Sequence, residues 1–357
     1  MTKVVVAMSG GVDSSVAAAL LKQQGYEVTG MMLRLWSEPG KQDSNRCCTP
    51  DSMAQARRVA ARLDIPFYAI DAREIFHQAV VSYFLDGYAH GQTPNPCLAC
   101  NRQIRWGFLL EHALAFGADF MATGHYARKQ VTEDGRQILL KGIDPGKDQS
   151  YVLHVLTQEK LARALFPVGD HTKPEIRAIA ESFGLSVAKR PDSQDLCFLA
   201  GDDYRGFLAR NGSPLLVPGD ILERSGKVIG QHSGLANYTI GQRKGLGLTS
   251  PEPLFVLSKD PTTNTLVVGT RHELGASQLL AVNVTWTSGI VPAESFQASV
   301  KTRYTAIPAL AQVTPNADAS QVAIRFDTPQ RDLTPGQAAV FYNGEVVMGG
   351  GLIVNSR

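Results

Sequence analysis

The sequence predicts an α/β fold followed by β-rich modules, and three observations carry that prediction. From residue 1 to about 200, short apolar runs alternate with helical periods, the signature of a parallel sheet flanked by helices. Beyond Gly201 the pattern changes to short strands punctuated by Pro-Gly, Ser-Gly and Gly-rich turns, and from about 275 to 357 apolar and polar residues alternate. At 357 residues the chain is longer than one ordinary domain. The expected units are a parallel-sheet domain over 1–200, a small central β-rich module over 201–272 and a β-barrel-like domain over 273–357.

The elements follow in order. Val4 to Met8 is an apolar first strand, and Ser9-Gly10-Gly11-Val12-Asp13-Ser14 is a small-residue turn that opens a helix from about Ser14 to the Gly25 stop. Tyr26 to Leu33 is a second strand, Asp51 caps a helix through Arg62, Phe67 to Ile70 is a third strand, and Ala72 to Tyr88 is helical. A helix over about Asn101 to Phe116 leads into a strand at Asp119 to Thr123. Val131 to Lys141 reads as a hairpin around Asp134-Gly135, and Lys173 to Phe183 as a helix. Later strands include Gln321 to Phe326 and Ala338 to Val347, before a final Gly349-Gly350-Gly351.

Net charge is only +2, which argues against a generic nucleic-acid coat and leaves room for local basic patches. No apolar run reaches bilayer length, and the chain starts on a core strand, so the expectation is a cytoplasmic protein with no signal peptide and no membrane partner. All five cysteines (Cys47, Cys48, Cys97, Cys100 and Cys197) lie in the first 200 residues. A cytosolic chain keeps such thiols reduced unless they do chemistry.

The turn after the first strand suits pyrophosphate. Two glycines allow a sharp backbone turn close to an anion, and the N–H groups opening the next helix point at it. It lacks the GK[ST] ending of a Walker loop and the spacing of a dinucleotide GxGxxG. SGGxDS instead resembles the pyrophosphate loop of ATP pyrophosphatases, which cleave ATP between its α- and β-phosphates. Ligands of open sheets bind outside the carboxyl ends of the strands, so Thr123-Gly124-His125-Tyr126 is expected to face the same crevice.

Two cysteine segments stand out. Thr93-Pro94-Asn95-Pro96-Cys97-Leu98-Ala99-Cys100-Asn101 is a proline-pinned run expected to deliver Cys100 to the start of a helix, where a thiol of ordinary pKa about 8.5 ionises more readily. The alternative, half of a zinc site, lacks a second CxxC or a Cys/His pair at zinc spacing. Cys197 lies in the polar loop Arg190-Pro191-Asp192-Ser193-Gln194-Asp195-Leu196-Cys197-Phe198.

Taken in order, SGGVDSS, NPCLACN, TGHYA, KDQSY, DSQDLCF, TIGQRKGLG, Arg303-Tyr304 and Pro335-Gly336-Gln337 resemble the bacterial tRNA-specific 2-thiouridylases over essentially the whole chain. That resemblance implies an ATP pyrophosphatase (adenine nucleotide hydrolase-like) domain and ATP-dependent 2-thiolation of the wobble uridine U34, with AMP and pyrophosphate released. By the same resemblance ATP would adenylate the C2 oxygen, Cys197 would carry sulfur as a persulfide, and Cys100 would be the partner thiol conventionally called the nucleophile. Either Cys100 frees sulfide or it resolves the intermediate, and a Cys100–Cys197 disulfide remains. The resemblance also implies ATP contacts at Ala7, Met8, Ser9, Gly10, Gly11, Val12, Asp13, Ser14, Leu33 and Gly124, with Asp13 helping Mg²⁺. It places Asn95, Pro96 and Cys97 at the target base, and His125, Lys147, Asp148, Gln149, Arg303, Tyr304 and Gln337 on tRNA. The implied partners are tRNA acceptors for Lys, Glu and Gln and a sulfur-relay protein or cysteine desulfurase.

Two positions depart from the family pattern: Cys97 stands where many members carry Asp, and Leu33 where many carry Met. The first removes a carboxylate beside the uridine and adds a third thiol, so an iron–sulfur cluster on Cys97, Cys100 and Cys197 is an alternative source of sulfide. Cys47-Cys48 has no assigned role. On residues alone, TIGQRKGLG at 239–247 reads as a tight turn with exposed charges, and Lys147 and Arg303 as ordinary surface charges. Two rival functions remain: an amidating ligase, which shares the ATP loop and needs no thiol pair, and a non-catalytic nucleotide or tRNA binding module.

Overall fold

Residues 1–41, 49–191, 196–199, 203–331 and 333–356 are described by the structure, a computed structural model. The Cys47-Cys48 pair and Asp192 to Asp195 lie outside the described residues. Strands β1 (Lys3–Ala7), β2 (Glu27–Arg34), β3 (Phe67–Asp71), β4 (Phe120–Thr123) and β7 (Ala164–Leu165) form a parallel sheet in the order β3-β2-β1-β4-β7. Its central strands are apolar on both faces, as burial between helix layers requires: Val4, Val5 and Val6 are at most 1% exposed. The chain runs outward from β1 through β2 to β3 and then crosses to β4, so β1 and β4 are neighbours whose following loops diverge. That is the topological switch point.

Helix α1 (Val12–Gln23) starts two residues earlier than expected, directly on the glycine turn, and ends before Gly25 with its positive φ of 85°. Helix α2 (Pro50–Arg62) is capped by Thr49, whose side chain accepts from Ser52 N; Asp51 sits inside the first turn rather than at the cap. Helices α3 (73–89) and α4 (96–115) each contain π-type turns, at His77–Val81 and Cys100–Leu109. Helix α4 begins at Pro96, one turn before the expected Asn101, because Asn95 accepts from Cys97 N at 3.1 Å and proline suits the first helical position.

The hairpin of β5 (Ala127–Val131) and β6 (Gln137–Lys141) leaves the first unit and pairs at Leu140 with Val346 of the last. Short helices α5 (Ser150–Leu153) and α6 (Gln158–Ala162) precede α7 (Lys173–Ser182) and α8 (Tyr204–Arg210). In the central module β8 (Gly219–Glu223), β9 (Val228–His232), β10 (Phe255–Asp260) and β11 (Thr265–Gly269) pair in the order β10-β11-β8-β9. Finally β12 (Ala276–Thr285), β13 (Phe296–Lys301), β14 (Ala309–Pro315), β15 (Gln321–Gln330), β16 (Ala338–Asn343) and β17 (Val346–Ser356) run β12-β15-β14-β13-β16-β17, and pairing of β12 with β17 closes an antiparallel six-stranded barrel. Closure removes the free edges that an open sheet of this length would expose.

The units share cores. Phe76, Phe84 and Ile104 of the first cluster with Phe198, Phe207 and central-module residues such as Ile221 and Val256, while Trp106 and Tyr151 cluster with Ala338, Val340 and Tyr342 of the barrel. Among the described residues no helix is long and apolar enough to cross a membrane.

Candidate active site at the switch point and the cysteine helix

The glycine loop folds as its composition demands. Gly10 adopts φ +73°, and a Cβ there would lie 2.4 Å from the Ser52 carbonyl oxygen, so the backbone packs where no side chain fits. Gly11 opens α1 with no side-chain oxygen on the first-turn N–H groups, which stay available to an anion. Within the loop, Ser9 N donates to Ser14 Oγ at 3.2 Å, and Ser15 Oγ donates to the Gly11 carbonyl at 2.8 Å. Gly124 lies against it from β4: a Cβ there would come within 2.6 Å of Ser14 N. The structure thus brings 7–14 and Gly124 together, with Leu33 at the same carboxyl edge near the end of β2.

Sequence reasoning missed the cations. Lys173, the first residue of α7 and only 8% exposed, places Nζ 2.7 Å from Asp13 Oδ1, which also accepts from Tyr126 Oη at 2.7 Å. Arg190 donates to the Gly10 carbonyl at 3.1 Å and to Ser52 Oγ at 3.1 Å, and pairs with Asp51 at 3.2 Å. The absence of a Walker lysine therefore does not leave the loop without basic groups. Nothing local in the sequence ties either residue to the loop, which lies more than 150 residues away.

Two of the cysteines border a shared apolar cluster and the third does not. Cys97 is exposed in the first turn of α4, while Cys100 stands one turn further in and is half-buried, so Cys97 rather than Cys100 holds the helix start. Cys100 and Cys197 both pack against the cluster that contains Ala99, Phe198 and Phe207. Among the described residues no three His, Cys, Asp or Glu side chains converge as a metal-holding group, these three cysteines included. The three cysteines as placed do not form the site that an iron–sulfur cluster would need.

The expected tRNA residues are placed unequally. His125 is 5% exposed, its Nδ1 2.7 Å from Thr123 Oγ1, and burial followed by the nearby Arg105 charge holds it well below the usual histidine pKa. Asp148 accepts from Gly142 N at 3.0 Å, Ser150 N at 3.1 Å and Ser150 Oγ at 3.0 Å, and Gln149 exchanges hydrogen bonds with the Tyr126 backbone at 2.9 and 3.1 Å. His125 is buried, whereas Asp148 and Gln149 are half-buried and hold the turn before α5. Lys147 is half-buried and Tyr304 is 40% exposed, with its ring 6.2 Å from that of Tyr151. Burial, then the charges of Asp148 and Cys97, raise the Tyr304 phenol pKa. Arg303 donates to the Ile240 carbonyl at 3.1 Å and to Thr334 Oγ1; Gln337 Nε2 donates to the Thr93 carbonyl at 2.7 Å.

A phosphate-type loop at a parallel-sheet switch point, followed by two β modules, defines a HUP-domain enzyme with appended barrels. Three family models match in register: the tRNA methyl transferase HUP domain over 2–201, the tRNA methyl transferase PRC-barrel domain over 205–270 and the aminomethyltransferase beta-barrel domain over 276–353. The chain is 47% identical to the tRNA-specific 2-thiouridylase MnmA 1 of Caldanaerobacter subterraneus subsp. tengcongensis over 355 residues, covering 98% of this chain and 97% of that one. It is 48% identical to the tRNA-specific 2-thiouridylase MnmA of Moorella thermoacetica over 354 residues, covering 98% of each. The chain belongs to the tRNA-specific 2-thiouridylase family.

Proposed function

We propose that this protein is an ATP-dependent tRNA-uridine 2-sulfurtransferase acting on U34. The observation that carries the reading is kinship along the full chain, joined to a glycine loop at the switch point and two thiols on one cluster. ATP seats its phosphates on residues 7–14 and Gly124, and the uridine C2 oxygen attacks the α-phosphorus, forming an O–P bond as the bond to pyrophosphate breaks. Lys173 and Arg190 balance charge that builds on the leaving pyrophosphate; Asp13 is the residue that would hold Mg²⁺, which would supply further positive charge there.

The adenylated carbon is then open to sulfur. The terminal sulfur of a Cys197 persulfide attacks C2 and AMP leaves; the Cys100 thiolate attacks the Cys197 sulfur, the S–S bond to the new thiouridine breaks, and a Cys100–Cys197 disulfide is left for an external thiol to reduce. Asn95, Pro96 and Cys97 meet the extruded base, which must leave its stack to reach them. Lys147, Asp148, Gln149, Arg303 and Tyr304 face the tRNA, with the buried His125 bracing behind them. The partners are tRNA acceptors for Lys, Glu and Gln and a sulfur-relay protein or desulfurase, in the cytoplasm.

The test is to incubate the protein with unmodified tRNA, ATP, Mg²⁺ and a sulfur donor, then digest the tRNA and weigh its nucleosides. The expected result is 2-thiouridine at position 34, with AMP formed in equal amount, and loss of product in Cys197→Ser and Cys100→Ser. Full activity in both variants would falsify sulfur transfer through these thiols and favour an amidating ligase; ATP binding without turnover would favour a binding module.

A further inference from the structure

The segment that joins the barrel to the base loop is built as a strap. The Pro335 carbonyl accepts from Thr93 N at 2.9 Å, the Gly336 carbonyl accepts from Asn95 N at 3.2 Å, and Gln337 Nε2 donates to the Thr93 carbonyl at 2.7 Å. Pro94 has no N–H, so both backbone N–H groups of Thr93 to Asn95 are bound by residues 335 and 336. Gly336 has φ +92°, and a Cβ there would lie 2.9 Å from Thr93 C and 3.0 Å from Pro94 N, so the close approach requires glycine. Behind the strap, Gly336 N donates to the Ile353 carbonyl at 2.9 Å and Ile353 N to the Gln337 carbonyl at 2.8 Å, which anchors it to β17. Arg303 adds the central module by donating both to Thr334 and to Ile240 of the TIGQRKGLG loop.

We infer that Gln337, with Gly336 and Arg303 behind it, is a positioning residue that sets the place of the Asn95–Cys97 segment from the two β modules. Asn95 is the last residue held by the strap, and its side chain caps the helix that carries Cys97 and Cys100. A shift of the strap therefore moves that cap and both thiols together. The inference rests on reading Asn95 to Cys97 as the target-base segment. It differs from direct tRNA contact by Gln337, because a positioning residue acts on turnover and a contact acts on affinity.

The experiment compares full-length wild type with Gln337→Glu, Gln337→Met and Gly336→Ala. Glutamate keeps the length and accepting oxygen of glutamine but cannot donate to the Thr93 carbonyl when ionised, and methionine keeps the shape alone. Three quantities are measured: the tRNA dissociation constant, the single-turnover rate of 2-thiouridine formation at saturating tRNA, and the alkylation rates of Cys97 and Cys100 mapped by mass spectrometry. The expected result is a rate lower by about 100-fold, as for a misplacement of about 1 Å. Affinity should stay within about twofold, a change worth less than 1 kcal/mol. Alkylation at Cys97 and Cys100 should change in the same variants.

Tenfold weaker tRNA binding with an unchanged saturated rate would overturn the inference in favour of direct contact. Unchanged rates and alkylation in all three variants would reduce the strap to ordinary packing. If wild type makes no 2-thiouridine, the functional reading fails separately, and the alkylation rates still test the strap. If one variant does not fold, the others carry the comparison.

Discussion

Asp13 holds more than its place in the loop suggests. One carboxylate oxygen accepts from a buried lysine and a tyrosine at 2.7 Å each, which fixes the first turn of α1 before any nucleotide arrives. With Lys173 only 8% exposed, its ammonium interacts through a medium less polarisable than water, where a charge weighs more on a developing anion. Lys173→Met is expected to lower the adenylation rate by about 100-fold, the scale seen when one charge-stabilising donor is removed. It should also weaken product inhibition by pyrophosphate while leaving inhibition by AMP unchanged. Equal weakening of both would place Lys173 in support of the loop rather than on the phosphates. The lysine was illegible in the sequence because nothing local distinguishes it from an ordinary helix-start residue, and its partner lies 160 positions away.

Helix α7 delivers that lysine, and its start is specified locally. Thr172 and Glu175 form a reciprocal capping box, in which Glu175 accepts from Thr172 N at 2.7 Å and Thr172 Oγ1 at 2.9 Å, with Pro174 in the first turn. Thr172→Ala is expected to cost about 1 kcal/mol of stability, the usual loss for a missing cap. Adenylation should slow as well, because the frayed turn includes Lys173; denaturant melts and rate measurements on the same sample check both. The helix itself was readable from periodicity and Lys173-Pro174. Helix α4 was harder: the proline-pinned TPNPC run reads as a lead-in to a helix starting at about Asn101, yet Asn95 caps a helix that starts at Pro96 and continues through π-type turns. Periodicity reports an apolar face and not the pitch of the backbone beneath it.

Across the whole molecule the first unit and the barrel are sealed together around His154, which is 2% exposed and sits where a Cβ on Gly350 would come within 2.7 Å of its ring. Burial lowers its pKa to about 4, against the backbone hydrogen bond to Tyr151 that favours the charged form. The folded state thus binds fewer protons than the unfolded one between an ordinary pKa of about 6.5 and about 4, and stability is lost as pH falls through that window. The loss amounts to about 3 kcal/mol by linkage, and His154→Asn should flatten the decline. Denaturant midpoints measured from pH 7 to pH 4 check this, and an equal slope in the variant would assign the acid sensitivity elsewhere.

The sequence by itself determined the three-part order of the chain, the parallel sheet, the glycine turn on its first strand and the cysteines offered for chemistry. Each is set by short-range patterns: alternation, helical period, and glycine where φ must be positive. Only the tertiary structure decided what those parts meet. It brought Lys173 and Arg190 to the loop, buried His125 against Thr123, carried the hairpin of β5 and β6 onto the barrel, and laid Gly336 and Gln337 across Thr93. Those contacts join residues far apart in the chain. Their partners are chosen by strand order and by cores that the three units share, which no local pattern encodes.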